Sequence, residues 1–201
     1  MVITVSTKDI PNASETLPGL VERATQVEVD TGTDTDRFVS PATLAAAATG
    51  KVLQVIQTSL TSVVSGNSNS WTTVAGLSVT ITPSSTSSKI LIFSSLCYAG
   101  PTTNNAMVRL ARGSTGIGVG DAAGSRTQAA FKMGRAHGEA NESGNIIFLD
   151  SPATTSATTY NIQARSSIDT LTWYFNRQQT DNDLEENARG ASTIIAVEIE
   201  G

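Results

Sequence analysis

The sequence predicts a mainly β protein. An antiparallel β-sandwich of jelly-roll type is expected over residues 51–201, preceded by a small α+β segment over residues 1–50. Three observations predict it. Beyond Lys51, short runs of alternating apolar and polar residues recur between turns rich in Gly, Ser, Asn and Pro, with no helix interspersed. Ser, Thr, Ala and Gly are abundant, with aromatics at 5% and charged residues at 15%. That composition suits short strands and turns rather than a highly charged disordered chain. Ahead of Lys51, helix start and stop signals crowd into Gly19 to Ala48.

In that first stretch, Leu20-Val21-Glu22-Arg23-Ala24 alternates as a small strand. Thr25 and Glu28 have the spacing of a capping box, in which hydroxyl and carboxylate each reach the other residue's N–H. Gly32 ends the turn, because only glycine enters the left-handed region without strain. Ser40 as N-cap and Pro41 at the first helical position open a second helix, which continues through Leu44 and the alanines. Few large apolar side chains are present, so the segment cannot bury a core alone and is expected to pack on further copies of itself.

The strand pattern then runs Val52 to Leu60, Leu77-Val79-Ile81, Lys89 to Tyr98, Met107 to Ala111, Gly116 to Gly120, Thr127 to Met133, Asn145 to Leu149, Thr159 to Ala164, Leu171 to Phe175 and Ser192 to Ile199. Ser65 to Ser70 and Pro83 to Ser88 are expected as loops. The run KILIFSSLCY is apolar on both sides at first, as in a strand lying between two packed layers. Leu171, Trp173 and Phe175 share a face and predict a core wall. STIIAVEIE is expected to lie inside its sheet rather than at an edge.

Charge and motifs narrow the function classes. The net charge is −5, with three Lys/Arg against seven Asp/Glu in the first fifty residues and ten against eleven in the rest. No basic patch is visible in the sequence, so no nucleic-acid partner is expected. No run approaches the ~18 apolar residues of a membrane span, and the opening MVITVSTKDIP lacks the regions of a signal peptide. Cys97 is the only cysteine, so it forms no intrachain disulfide and is expected as a small core side chain.

Gly116-Ile117-Gly118-Val119-Gly120 has no helix after it, so bulges or a tight turn are expected rather than a phosphate loop. His137, the one histidine, has no nucleophile elbow to serve. The carboxylates from Asp181 to Glu186 lack the glycine and glutamate positions of a calcium loop and read as a solvated loop. No catalytic, metal or cofactor site is expected. Tyr98, Arg135, His137 and Arg177 are candidate contacts for a sugar or protein; Trp71, at the start of an alternating run, is weighed with them and read as a core residue. Leu20, Val21, Thr25, Glu28 and Leu44 are the candidate assembly residues.

The run ASETLPGLVERATQVEVDTGTDTDRFVSPATLAAA resembles a segment recurring in tail fibres of tailed bacteriophages. The shared positions are Ala13 to Thr16, Gly19 to Glu22, Ala24-Thr25, Glu28-Val29, Gly32 to Asp34, Arg37, Val39, Pro41 and Leu44. GLSVTITPSSTSSKILIF, RGSTGIGVGDAAGSRTQ, FLDSPATTSATTYNIQ and ARGASTIIAVEIEG are similar to a C-terminal β domain of phage structural proteins. The resemblance implies a virion protein, a homotrimer with an attachment segment that seats on other virion proteins and a distal knob that binds a host surface glycan or protein. The two parts follow each other without shaft repeats, which implies a short tail fibre. The alternative is a trimeric capsid decoration protein.

Overall fold

A computed structural model describes residues 22–33, 35, 37–47 (backbone alone over 45–47), 51–101, 106–133 and 140–201. Spatial proximity divides the chain into two compact units, residues 1–51 and 52–201, beside the 50/51 boundary read from the sequence.

The first unit forms the local structure that its caps specify. Helix α1, Gln26–Thr31, begins on Thr25, whose hydroxyl accepts the Glu28 N–H while the Glu28 carboxylate accepts the Thr25 N–H at 2.9 Å. Gly32, at φ +63°, ends it in the left-handed region and donates to the Glu28 carbonyl. Helix α2, Pro41–Ala47, starts on Ser40, whose hydroxyl accepts from the Thr43 N–H. Arg23 and Phe38 form an isolated parallel bridge. Arg37 ties the piece together, reaching Glu28 at 2.8 Å and Glu22 at 3.2 Å.

The second unit is an antiparallel β-sandwich. Its first sheet takes β1 (Val52–Leu60), β11 (Ser192–Ile199), β4 (Lys89–Ala99), β10 (Trp173–Phe175) and β2 (Val64–Gly66) in that order, with β8 (Glu142–Asp150) on the free side of β4. The second runs β3 (Thr72–Ile81), β9 (Thr158–Ser166), β5 (Ala106–Arg112) and β6 (Thr115–Ile117), with β7 (Phe131–Lys132) also on β5. β11 lies between β1 and β4, inside its sheet as its pattern predicts. Inward residues alternate with outward ones, so Leu77, Val79 and Ile81 meet Ile90, Ile92, Ile194, Leu110 and Ile162 in one core.

Four features depart from the sequence pattern. Val64-Ser65-Gly66, part of which was read as loop, is a short strand paired to β10. It lacks alternation because Gly66 leaves room for the Trp173 ring, which a Cβ there would meet at 2.4 Å. The run Thr127 to Met133 is strand only over Phe131–Lys132, and Gly116 to Gly120 only over Thr115–Ile117. In the third strand a register shift falls between Thr73 and Ser78, where Gly76 sits at φ +82°. Trp173 and Phe175 are the expected core wall, edge to face at 5.8 Å, but Leu171 stays outside the core cluster.

The glycine run follows a hairpin turn rather than forming it: Gly116 and Ile117 lie in β6, and Gly118 at φ +59° ends that strand. Arg112 pairs with Thr115 across Gly113-Ser114, with Gly113 at φ +59°, the turn chemistry of a two-residue loop.

Candidate functional site

The sheet made of β8, β4, β11 and β1 carries two chemistries on its two faces. Register places side chains in rows across four strands. On the outer face one row is Val55, Val197, Leu91 and Leu149, and the next is Gln57, Ile195, Phe93 and Ile147. A third row is Ser59, Thr193, Ser95 and Asn145. Seven of the eight side chains in the first two rows are therefore apolar, and none of the twelve is charged.

An antiparallel sheet with one face in water ordinarily alternates apolar inward with polar outward. Here Ile147 is 66% exposed and Val55 59% exposed, with Leu149 and Phe93 also outward. Where the large row meets the small one, Phe93, Ile147 and Ile195 border a shallow depression of about 230 Å³ with Ser95, Asn145 and Thr193. The double-sided apolar character of KILIFSSLCY is thus real, and among the described residues only its inner side is covered.

The first unit shows the same imbalance. Among its described residues caps and ion pairs serve both ends of α1 and the start of α2, while Val27, Phe38, Val39 and Leu44 are all exposed, Leu44 by 60%. Ala24 is its one buried apolar residue among those described. Of the candidate assembly residues, Thr25 and Glu28 form the capping box and Leu44 projects outward, while Leu20 and Val21 lie outside the described residues.

Of the candidate contact residues that are described, Tyr98 and Arg177 sit in separate settings. Tyr98 is a correction: it lies in its expected strand, β4, but is 5% exposed and so not a surface contact, its ring 5.4 Å from that of Phe131. Its position near the end of a long strand faces the core, and its phenol is pushed up to about 12 by burial and then by the charge of Glu142. Arg177 is committed within its own loop. It stacks on Tyr174 at 4.4 Å, pairs with Asp181 at 3.1 Å and donates to the carbonyls of Gln178 and Gln179. Arg135 and His137 lie outside the described residues. Trp71 is not a core residue; it is half-buried beside two arginines.

The carboxylates after Asp181 form a surface loop in which Asp181 also holds Arg189 at 2.8 Å. Among the described residues no cluster of His, Cys, Asp or Glu gathers to hold a metal ion. Cys97 is half-buried and packs beneath Gly190, where a Cβ would meet its sulfur; burial raises its thiol pKa. Among the described residues no helix is long and apolar enough to cross a membrane.

Neither a protein-family model nor a curated protein matches the chain.

Proposed function

We propose that this is a non-catalytic structural protein of a tailed-phage virion, a short trimeric tail fibre whose β domain contacts the host surface. The observation that carries the reading is the uncharged apolar outer face of the β8-β4-β11-β1 sheet. A protein working as an isolated chain gains nothing from two large rows of Val, Leu, Ile and Phe facing water, whereas copies of itself cover them favourably. Because the rows bear no charge, copies of a chain with net charge −5 meet there without like-charge repulsion.

Magnitudes also favour several contacts per copy. Strands ~4.8 Å apart and residues ~3.4 Å along them make the three rows and their margins a patch on the order of 400 Å². A specific interface takes roughly 800 Å² per partner. The outer face supplies about half of that, and the exposed Val27, Phe38, Val39 and Leu44 of the first unit offer a second contact, to copies or to the virion. Host contact then draws on many weak loop contacts multiplied across the copies.

Labelling the protein in purified virions and locating it by electron microscopy tests the reading. Density at the tail tip with three-fold symmetry is expected. Density on the capsid shell instead makes it a decoration protein, and absence from virions overturns the reading. Release of sugar from host envelope polysaccharide by the purified protein would overturn its non-catalytic part.

A further inference from the structure

We infer that the outer face of the second sheet holds a binding site for an acidic saccharide, built on Trp71, Arg109 and Arg165. For its biological partner the inference rests on the host-surface reading above; its chemistry stands on the following geometry.

β5 and β9 pair Met107 with Arg165 and Arg109 with Gln163. Val108, Leu110, Ile162 and Ala164 turn inward to the core, so Arg109, Gln163 and Arg165 alternate to the outer face. Trp71 stands just before β3, whose Thr73 pairs with Gln163. Its ring gathers both guanidiniums, the Cζ of Arg109 4.4 Å and that of Arg165 5.9 Å from the centroid.

Arg109 is fixed in place. Its Nε donates to Oε1 of Gln163 at 2.8 Å and its Nη2 to the Ser114 carbonyl at 3.3 Å. Gly116 gives it room on the neighbouring strand, since a Cβ there would stand 2.8 Å from Nη1. Arg165 is the opposite case: its Nε is buried with no hydrogen-bond partner. Neither arginine meets a carboxylate in any ion pair of the described residues. Lys132, which pairs with Met107, adds a third positive charge beside them.

Two guanidiniums sharing one ring repel each other, and a buried N–H without an acceptor loses the hydrogen bond it made to water. Burial and then the charge of Arg165 lower the pKa of Arg109, which has the same origin. An oxyanion at the accessible ends of the two guanidiniums offsets their mutual repulsion and takes the donors that Arg109 has not given to Gln163 and Ser114. That is the arrangement of a site awaiting an anion.

The surroundings select among carriers of that anion. β5 and β9 are paired on both sides, so the strands that carry the arginines have no free edge for an extended peptide; β3, which follows Trp71, is the sheet's edge, and triglutamate probes a peptide there. Nucleic acid needs several successive phosphate contacts, and three cations on a chain of net charge −5 do not supply them. The face beside the arginines instead offers the exposed Thr73 hydroxyl, suited to a sugar hydroxyl, while the buried Gln163 holds Arg109 in place.

The test is calorimetric titration of the full chain at low salt with trigalacturonate, its fully methyl-esterified form and triglutamate. Trigalacturonate is expected to bind with Kd of about 1 mM per site, and the neutral ester at least about tenfold more weakly. Arg109→Gln and Arg165→Gln are each expected to weaken binding about tenfold, with Arg165→Lys between, since it keeps charge but loses the fork. Each variant is checked for wild-type solution mass and thermal midpoint, so that a lost site is separated from a lost fold or assembly. Absence of trigalacturonate binding at about 10 mM overturns the site, as does binding unchanged in Arg165→Gln. Triglutamate binding as tightly as trigalacturonate overturns the saccharide assignment. A wild-type chain that binds but is monomeric overturns the fibre reading and leaves the site standing.

Discussion

The Tyr160 hydroxyl donates to Oδ2 of Asp150 at 2.6 Å, and the same oxygen accepts Nη1 of Arg112 at 2.8 Å. Asp150 ends β8 in the first sheet, whereas Tyr160 and Arg112 belong to the second, so this near-buried carboxylate joins the two layers at the sandwich's margin. Asp150→Ala leaves a buried hydroxyl and a half-buried guanidinium without their acceptor, and a loss of about 2–3 kcal/mol is expected. Tyr160→Phe removes the donor alone and is expected to cost about 1 kcal/mol. Urea unfolding of the two variants measures the difference; equal losses would show that the carboxylate does not organise the contact.

Burial, followed by Asp150, raises the Tyr160 pKa, and burial with Glu142 pushes Tyr98 up to about 12. The fold thus favours the neutral phenols. Their contribution is fully present below the unfolded value of 10 and is lost as pH rises through the folded values. Spectrophotometric titration of the folded protein is expected to show little phenolate from either residue at pH 11, roughly a tenth or less each. Full ionisation of all three tyrosines by that pH, with the fold intact, would contradict this packing.

Glu198 is a fully buried carboxylate at the end of β11. Burial alone would raise its pKa, but hydrogen bonds outweigh it and hold it at about 2. Gln54 Nε2 donates to one oxygen, and the Ser84 N–H and hydroxyl donate to the other at 2.7 Å each. A depressed carboxylate stabilises the fold above its unfolded value of 4.5, and that stability is lost as pH falls toward 2. Glu198→Gln is expected to lower Tm at pH 7 by about 5 °C and to flatten the fall in Tm between pH 4.5 and 2. An unchanged acid limb in the variant would assign the acid sensitivity elsewhere.

Asn176 occupies the left-handed region at φ +62° while completely buried. Its Nδ2 donates to the carbonyls of Leu60 and Ser62 at 2.8 and 2.9 Å, and its Oδ1 accepts from Ser192 at 2.7 Å. One side chain therefore closes β1, β10 and β11 together. Asn176→Gly keeps the backbone conformation and loses the bonds, while Asn176→Ala also strains the backbone. Losses of about 2 and 3 kcal/mol respectively are expected in denaturant unfolding. Alanine less damaging than glycine would contradict the conformational part.

Much of this fold was legible in the chain. The bounds of β1 and β11 and the capping box of α1 follow from local patterns that depend on few distant contacts. What escaped depends on pairing. β2 exists because Gly66 accepts the Trp173 ring, and Tyr98 is interior because β4 runs to Ala99 beneath it. The Trp71 cluster was not legible: the tryptophan reads as core at the start of an alternating run, and Arg109 and Arg165 are joined to it only by strand register. The uncovered sheet face was present as a two-sided apolar run whose second layer the described residues do not provide.

The most direct measurement is the solution mass of the full chain beside that of a Phe93→Lys/Ile147→Lys double variant at about 10 µM, a concentration at which weak assembly is still populated. Both side chains point outward from β4 and β8, so the variant is expected to keep its β-sheet signal and Tm within a few degrees. The wild-type protein is expected at three chains and the variant as monomer or a rapidly exchanging mixture, because two lysines per copy are forced into a dry, uncharged contact. A monomeric wild type, or a variant that keeps the wild-type mass, would contradict assembly through the outer face.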